Sequence, residues 1–230
     1  MSQFIIKSEV ETPWGIARTG CLSTQHGDIQ TPVFMPVATQ GTVKSMSPQE
    51  VWDIGYRMIL VNAYHLYLRP GPSLVSESGG LHAFMSWPGA VLSDSGGFQI
   101  FSLGYGSVAD EIKGRKINNN RNKSLIEISE EGALFKSYID GSKHLLSPEK
   151  SINIQRNIGA DLILVLDECT PFHVDKKYTV DSMHRSHRWS QRSIANFQIS
   201  NIFKSCYGSA GAQAMYGIIQ GGIYHDLRHE

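Results

Sequence analysis

Short apolar runs that give way to polar residues recur along the chain, and they restrict its fold more than any other feature. They are Pro32–Val37, Met58–Asn62, Ala90–Asp94, Leu162–Asp167 and Met215–Gln220. Near-continuous runs of this length suit strands covered on both faces, as in a parallel sheet. Helix signals fall between them. Ser47-Pro48-Gln49-Glu50 reads as a capping box with proline in the first turn, and Gly55 stops that helix before the second run. Ser147-Pro148-Glu149 opens another helix, and Gly159 ends it before the fourth run. Residues 177 to 199 read as a longer helix, whose Arg185, Arg188 and Arg192 are expected on a solvated face rather than as a binding stripe.

Two stretches break the alternation. Residues 102 to 124 are polar and include Asn118-Asn119-Asn120-Arg121-Asn122, which predicts a mobile loop. Leu134–Ile139 and Lys143–Leu146 flank Asp140-Gly141, a hairpin turn signal, and so predict a β-hairpin inserted between core strands. The fold class is therefore α/β with a parallel sheet, either open or closed into a (β/α)8 barrel. Periodicity does not choose between these. About five core strands are found, whereas a closed barrel needs about eight and ~250 residues. Five strands alone would leave an open edge and unmatched apolar side chains, so marginal stability is expected of such a chain by itself.

Chemistry concentrates where the runs end: Asn62, Asp94, Asp167 with Glu168, and Gln220. The carboxyl ends of parallel strands are where α/β folds build their sites. Asp94 is followed by Ser95-Gly96-Gly97, and glycines there allow a tight turn and close approach of a ligand, with Phe98 offering a flat face. Asp94 as a simple helix N-cap stands as an equal reading. After five aliphatic residues, one of Asp167 and Glu168 must turn away from the other, and Pro171 stops further pairing. Asp167 facing a ligand would be an acceptor-only group suited to the N–H donors of a purine edge, the alternative being a loop cap. Gln220, before Gly221-Gly222, offers one amide donor and one acceptor, again a complement to a base edge. Together these make a polar pocket for a purine-like ligand, with one carboxylate free for proton transfer.

Other residues carry less. His184 and His187, three apart, do not make a metal site, and His65 reads as a structural histidine. Cys21, Cys169 and Cys206 are odd in number and form no C-x-x-C pair, which argues for a reducing compartment and against a zinc site, with Cys21 and Cys206 expected as buried or half-buried thiols. Lys plus Arg and Asp plus Glu are 21 each, so the chain lacks the basic balance of a nucleic-acid-binding surface. No stretch approaches a membrane span and Met1-Ser2-Gln3-Phe4 opens no signal-peptide pattern, so a cytoplasmic protein without membrane partner is expected.

Several motifs in order resemble the tRNA-guanine transglycosylase (queuine tRNA-ribosyltransferase) family. They are Thr31–Val37, Gly41-Thr42-Val43-Lys44, Asn62–Leu66, Leu68–Gly71, Ser93-Asp94-Ser95-Gly96-Gly97-Phe98-Gln99, Ser147–Ser151, Asp167-Glu168-Cys169-Thr170-Pro171 and Gly217–Gly221. The resemblance covers nearly the whole chain. It implies a TIM barrel, incomplete here at about five of eight strands, in which residues 1 to 230 form the N-terminal part of one barrel domain. It implies exchange of the anticodon wobble guanine of tRNA for a 7-deazaguanine, in queuosine biosynthesis. By the same resemblance Asp94 handles the proton on the departing and incoming bases. Phe98 stacks on the base where the family often has tyrosine, Asp167 and Gln220 read its edge, and Ser95, Gly96, Gly97, Cys169 and Asn62 line the pocket. The cysteine in Asp167-Glu168-Cys169 resembles bacterial members, which insert 7-aminomethyl-7-deazaguanine. Family members continue to a second aspartate, the covalent nucleophile, and to a Cys-x-Cys-x-x-Cys plus histidine zinc subdomain. Neither is in this sequence, so no cofactor is expected in this chain, while zinc and a homodimer are expected of a complete member. The alternative is a non-catalytic subunit or remnant that keeps the base pocket without turnover. Insert 102–124 is longer than the family pattern.

Overall fold

Backbone hydrogen bonding decides how much of each apolar run becomes strand. The computed structural model describes residues 3–105, 124–171, 174–200 and 213–230. The expected α/β class holds. Antiparallel strands come first, β1 (Gln3–Thr12), β2 (Gly15–Thr24) and β3 (Gly27–Thr31), followed by the short β4 (Val37–Ala38). With β5 (Met58–Val61), β6 (Ala90–Ser93), β10 (Leu162–Leu164) and β11 (Ala214–Tyr216), β4 makes a five-stranded sheet in the order β11-β10-β6-β5-β4. Strands β4, β5, β6 and β10 pair in parallel.

The first of these strands is shorter than expected. Pro32 and Pro36 have no N–H to give a ladder, so pairing starts only at Val37, although the Pro36 carbonyl still accepts from Leu60 N–H at 3.0 Å. Strands β1 to β3 are not foreshadowed by apolar runs. Continuous apolarity marks strands covered on both faces, and most of β1 and β2 is exposed. No helix among the described residues is long and apolar enough to cross a membrane.

The helix Pro48–Ile54 forms as its capping box implies. Ser47 Oγ accepts from Glu50 N–H at 3.3 Å, Glu50 Oε2 accepts from Ser47 N–H at 2.7 Å, and Gly55 closes the helix at φ 113°. Replacing Ser47 by alanine removes one of the two reciprocal bonds and is expected to lower stability by about 1 kcal/mol, read as a lower urea midpoint at unchanged slope.

The chain divides into two compact units. The first comprises the described residues of Met1–Asp94, Ile154–Ile163 and Lys204–Met215. Its core sets Leu22 and Ile29 of the antiparallel sheet against Met58, Ala90 and Leu162. Those three residues start their strands, so the antiparallel sheet covers the N-terminal end of the parallel one. Each large apolar side chain buried this way contributes about 2 kcal/mol. At the same end His26 Nδ1 lies 2.6 Å from Asp161 Oδ1 and His82 Nε2 lies 3.1 Å from Asp161 Oδ2, while Val91 N–H donates to Oδ2 at 2.8 Å.

The second unit comprises the described residues of Ser95–Asn153, Leu164–Phe203 and Tyr216–Glu230. The expected hairpin is present as β8 (Ala133–Lys136) and β9 (Lys143–Leu146), and β7 (Leu125–Ile128) adds an unexpected third strand beside β8. The long helix runs Lys176–Ser200. The expected solvated face holds for Arg188, which is 51% exposed, but all three arginines of that face are ion-paired and Arg185 turns towards a buried carboxylate. Arg185 pairs with buried Glu168, Arg188 grips Glu130 with both Nε (2.9 Å) and Nη2 (2.5 Å), and Arg192 grips Glu149 through Nε and Nη2 at 2.7 Å each. Spaced three and four apart, the three lie on one helix face. Their acidic partners stand far away in sequence, which is why composition along the helix does not show them. The expected loop lies, over residues 106–123, outside the described residues, as does Cys206.

Candidate active site

Strand β5 ends on Asn62 and β6 leads into Asp94. In the first unit these two meet: Asn62 Nδ2 donates to Asp94 Oδ2 at 2.5 Å, and Ala63 N–H donates to Asp94 Oδ1 at 2.9 Å. Ala63 begins the helix Ala63–Leu68, so Asp94 satisfies a free N–H at the start of a helix borne by the neighbouring strand. The expected N-cap role is thus realised on another helix, and the carboxylate is fixed in direction as well. Half-buried His65 is on the same helix. Burial holds its pKa below the ordinary histidine value, with Lys44 acting the same way and the Asp94 charge opposing both. The Asp94 charge thus acts on His65, which is compatible with the expected structural histidine.

The remaining expected site residues belong to the second unit. Ser95 is buried, its Oγ accepts from Gly97 N–H at 3.3 Å, and its carbonyl accepts from the buried Ser151 hydroxyl at 2.6 Å. In the sequence Ser151 stands out only as part of a family motif. Its role in holding the Ser95 turn follows from its place on the inner face of the helix Pro148–Ile158. Gly96 takes φ +86°, a conformation that favours glycine. Gly97 is required for another reason: a Cβ there would stand 2.6 Å from the Asp167 carbonyl oxygen. Phe98 is 51% exposed, and so leaves a ring face available.

Asp167 is the centre of this second group. It is 5% exposed, and its Oδ2 accepts from Gln220 Nε2 at 2.6 Å, with Cys169 Sγ 3.6 Å away. The structure therefore brings Gln220, Cys169 and the Gly97 backbone to one carboxylate. Glu168 turns the opposite way, as expected of successive residues in extended chain, and is fully buried. An acceptor-only carboxylate beside a primary amide can take N–H donors on one side and give a donor to a carbonyl on the other.

Among the described residues, only His26, His82 and Asp161 form a group of three potential metal ligands. Their geometry is that of a hydrogen-bonded pair of rings on one carboxylate. The imidazoles stack at 3.4 Å with 12° between planes, and in-plane lone pairs of near-parallel rings do not converge on one ion about 2.0 to 2.1 Å from each nitrogen. His184 instead lies 2.9 Å from Glu230 through Nε2. Cys21 and Cys169 are free, and no Cys-x-Cys-x-x-Cys spacing occurs in the sequence, so these residues do not fit the zinc site expected of a complete family member.

Comparison with known proteins bears on the chain as a whole. The family model described as queuine tRNA-ribosyltransferase matches residues 14–230. A queuine tRNA-ribosyltransferase of Roseiflexus sp. (strain RS-1) is 46% identical over 228 residues, which is 96% of this chain and 55% of that protein. One from Solidesulfovibrio magneticus is 50% identical over 214 residues, 93% of this chain and 50% of that protein. The chain thus spans about half the length of the curated relatives it matches. A family match over residues 14–230 means that the chain belongs to the queuine tRNA-ribosyltransferase family.

Proposed function

We propose that this chain supplies the base-binding part of a tRNA-guanine transglycosylase. That enzyme exchanges the anticodon wobble guanine of tRNA for 7-aminomethyl-7-deazaguanine in queuosine biosynthesis. The observation that carries the reading is the Asp167–Gln220 pair, an acceptor-only carboxylate held 2.6 Å from an amide whose second N–H can go to a ligand. Guanine presents N–H donors and a carbonyl acceptor on its Watson–Crick edge, and this pair complements both.

In this reading Asp167 accepts from the donors of the base and Gln220 donates to its carbonyl. Phe98 stacks on the ring, with Ser95, Gly96, Gly97, Cys169 and Asn62 as pocket residues. Asp94, oriented by Asn62 and Ala63, moves the proton on the departing and incoming bases. Exchange at a ribose carbon with retained configuration requires double displacement by a carboxylate nucleophile. By family analogy that nucleophile is a second aspartate outside this sequence. The fold in the complete protein is read as a TIM barrel, supported by the five-stranded sheet and by Val37 of the outer strand β4, which is 51% exposed. A structural zinc, a homodimer and a cytoplasmic location belong to the complete protein in the same proposal.

A second reading is favoured by the length comparison: a chain spanning about half of its relatives keeps the base pocket but does not turn over. The experiment that tests both is calorimetric titration of the purified chain with guanine and with adenine, beside an assay of radiolabelled guanine incorporation into tRNA. Guanine binding without incorporation is what both readings expect of the chain alone. Incorporation would exclude the second reading and the need for a nucleophile outside this sequence, and equal binding of adenine counts against the base-reading role of Asp167 and Gln220.

A further inference from the structure

Glu168 is the group the proposed chemistry leaves unused. It is 0% exposed, and both carboxylate oxygens are taken by one helix: Tyr178 Oη donates to Oε1 at 2.7 Å, and Arg185 Nη1 donates to Oε2. Its backbone N–H donates to Ser186 Oγ at 3.0 Å. Two residues on, Thr170 Oγ1 lies 2.7 Å from Ser182 Oγ. Residues 178, 182, 185 and 186 fall on one face of the helix Lys176–Ser200, so the segment after β10 is fastened at several points along a rigid rod.

We infer that Glu168 is a positioning residue that sets the direction of the Asp167 carboxylate. In extended chain, neighbouring side chains point to opposite sides, so a Glu168 locked onto the helix leaves Asp167 only the other side. There it meets Gln220 Nε2 at 2.6 Å and Cys169 Sγ at 3.6 Å. A buried carboxylate used only for stability is poorly explained, because taking a glutamate and an arginine out of water costs about as much as their attraction returns. Two charge-assisted bonds of fixed direction are explained by a need for aim. Arg185 also has Glu130 Oε1 3.5 Å from its Nε, a second carboxylate beside the same guanidinium.

The inference rests on the proposal that Asp167 reads a guanine, and its test separates the two. Tyr178→Phe and Glu168→Gln would be compared with the unaltered chain, with Arg188→Ala as a control that breaks an exposed pair on the same helix. Two readouts are taken for each: the rate of Cys169 alkylation by iodoacetamide, followed by peptide mass spectrometry, and the dissociation constant for guanine by calorimetry. Tyr178→Phe keeps the aromatic packing and is the variant that survives if Glu168→Gln does not fold. The expected result is about a tenfold faster alkylation of Cys169 and about a tenfold weaker guanine binding in both variants, with neither change in Arg188→Ala. Unchanged alkylation and affinity, with only a lowered melting temperature, would overturn the inference and leave Glu168 a structural residue. Faster alkylation with unchanged guanine affinity would overturn it too. If the unaltered chain binds no guanine, it is the base-reading proposal that fails, and the alkylation rates alone then decide whether Glu168 aims this segment.

Discussion

Asp167→Asn is expected to weaken guanine binding by roughly 100-fold, the loss of charge-assisted hydrogen bonds that a near-isosteric amide cannot replace. The asparagine would present an N–H₂ where the base also presents donors, and its remaining oxygen is a weaker acceptor. Gln220 Nε2, now 2.6 Å from the carboxylate, would have to choose between that oxygen and the base. The change is in shape almost nothing, so the melting temperature should move far less than the affinity. Calorimetric titration beside a thermal melt checks this. A variant that binds guanine as tightly as the unaltered chain would remove Asp167 from the base edge.

The largest expected stability effect is at the other end of the parallel strands, in the first unit. Asp161→Asn should destabilise the chain by about 3 kcal/mol, because the carboxylate accepts from His26, His82 and Val91 N–H and an amide cannot serve all three. Its side chain is 3% exposed, so water does not replace the lost bonds. The same group makes stability depend on pH. Burial pushes the Asp161 carboxyl up, but the bonds from His82, His26 and Val91 outweigh it and hold the pKa below the ordinary carboxylate value. A folded-state value below the unfolded one means that the unfolded chain binds the proton first. The contribution is therefore present above the unfolded value of about 3.9 and is lost as pH falls through the lowered one. His65, also lowered, acts in the same direction from about 6.5 downward. Urea unfolding across pH 3 to 7 should show stability rising with pH, with a smaller slope at the acid end in Asp161→Asn. A flat profile there would contradict the assignment.

Much of the fold is legible in local signals. The Ser47–Glu50 capping box, the stop at Gly55 and the long helix depend on neighbours within a few residues and form as their signals imply, and the hairpin forms too, although its first strand ends at Lys136 and not at Ile139, so that residues 137–142 make the connection. The apolar runs mark the parallel strands for the same reason, since double coverage leaves a compositional trace. Where partners are distant, local signals mislead or fall silent. The ion pairs of Arg185, Arg188 and Arg192 leave no local trace because Glu168, Glu130 and Glu149 stand 17, 58 and 43 residues away. Proline at 32 and 36 shortens a strand that apolarity alone would extend.

The candidate site divides along the same line. Residue types and order in Asp94–Phe98, Asp167–Cys169 and Gln220 are enough to suggest a purine ligand and the family, because chemistry at strand ends is written in identities. Direction is not. That Asp94 caps the helix beginning at Ala63, that Asp167 faces Gln220 while Glu168 is gripped from behind by Tyr178 and Arg185, and that Gly97 is small for the sake of the Asp167 backbone are all outcomes of packing. Sequence by itself determined the core strands, the strongly capped helices and the reactive groups at the strand ends. Tertiary structure alone decided where those groups aim, because direction is set by hydrogen bonds between residues that only folding makes neighbours.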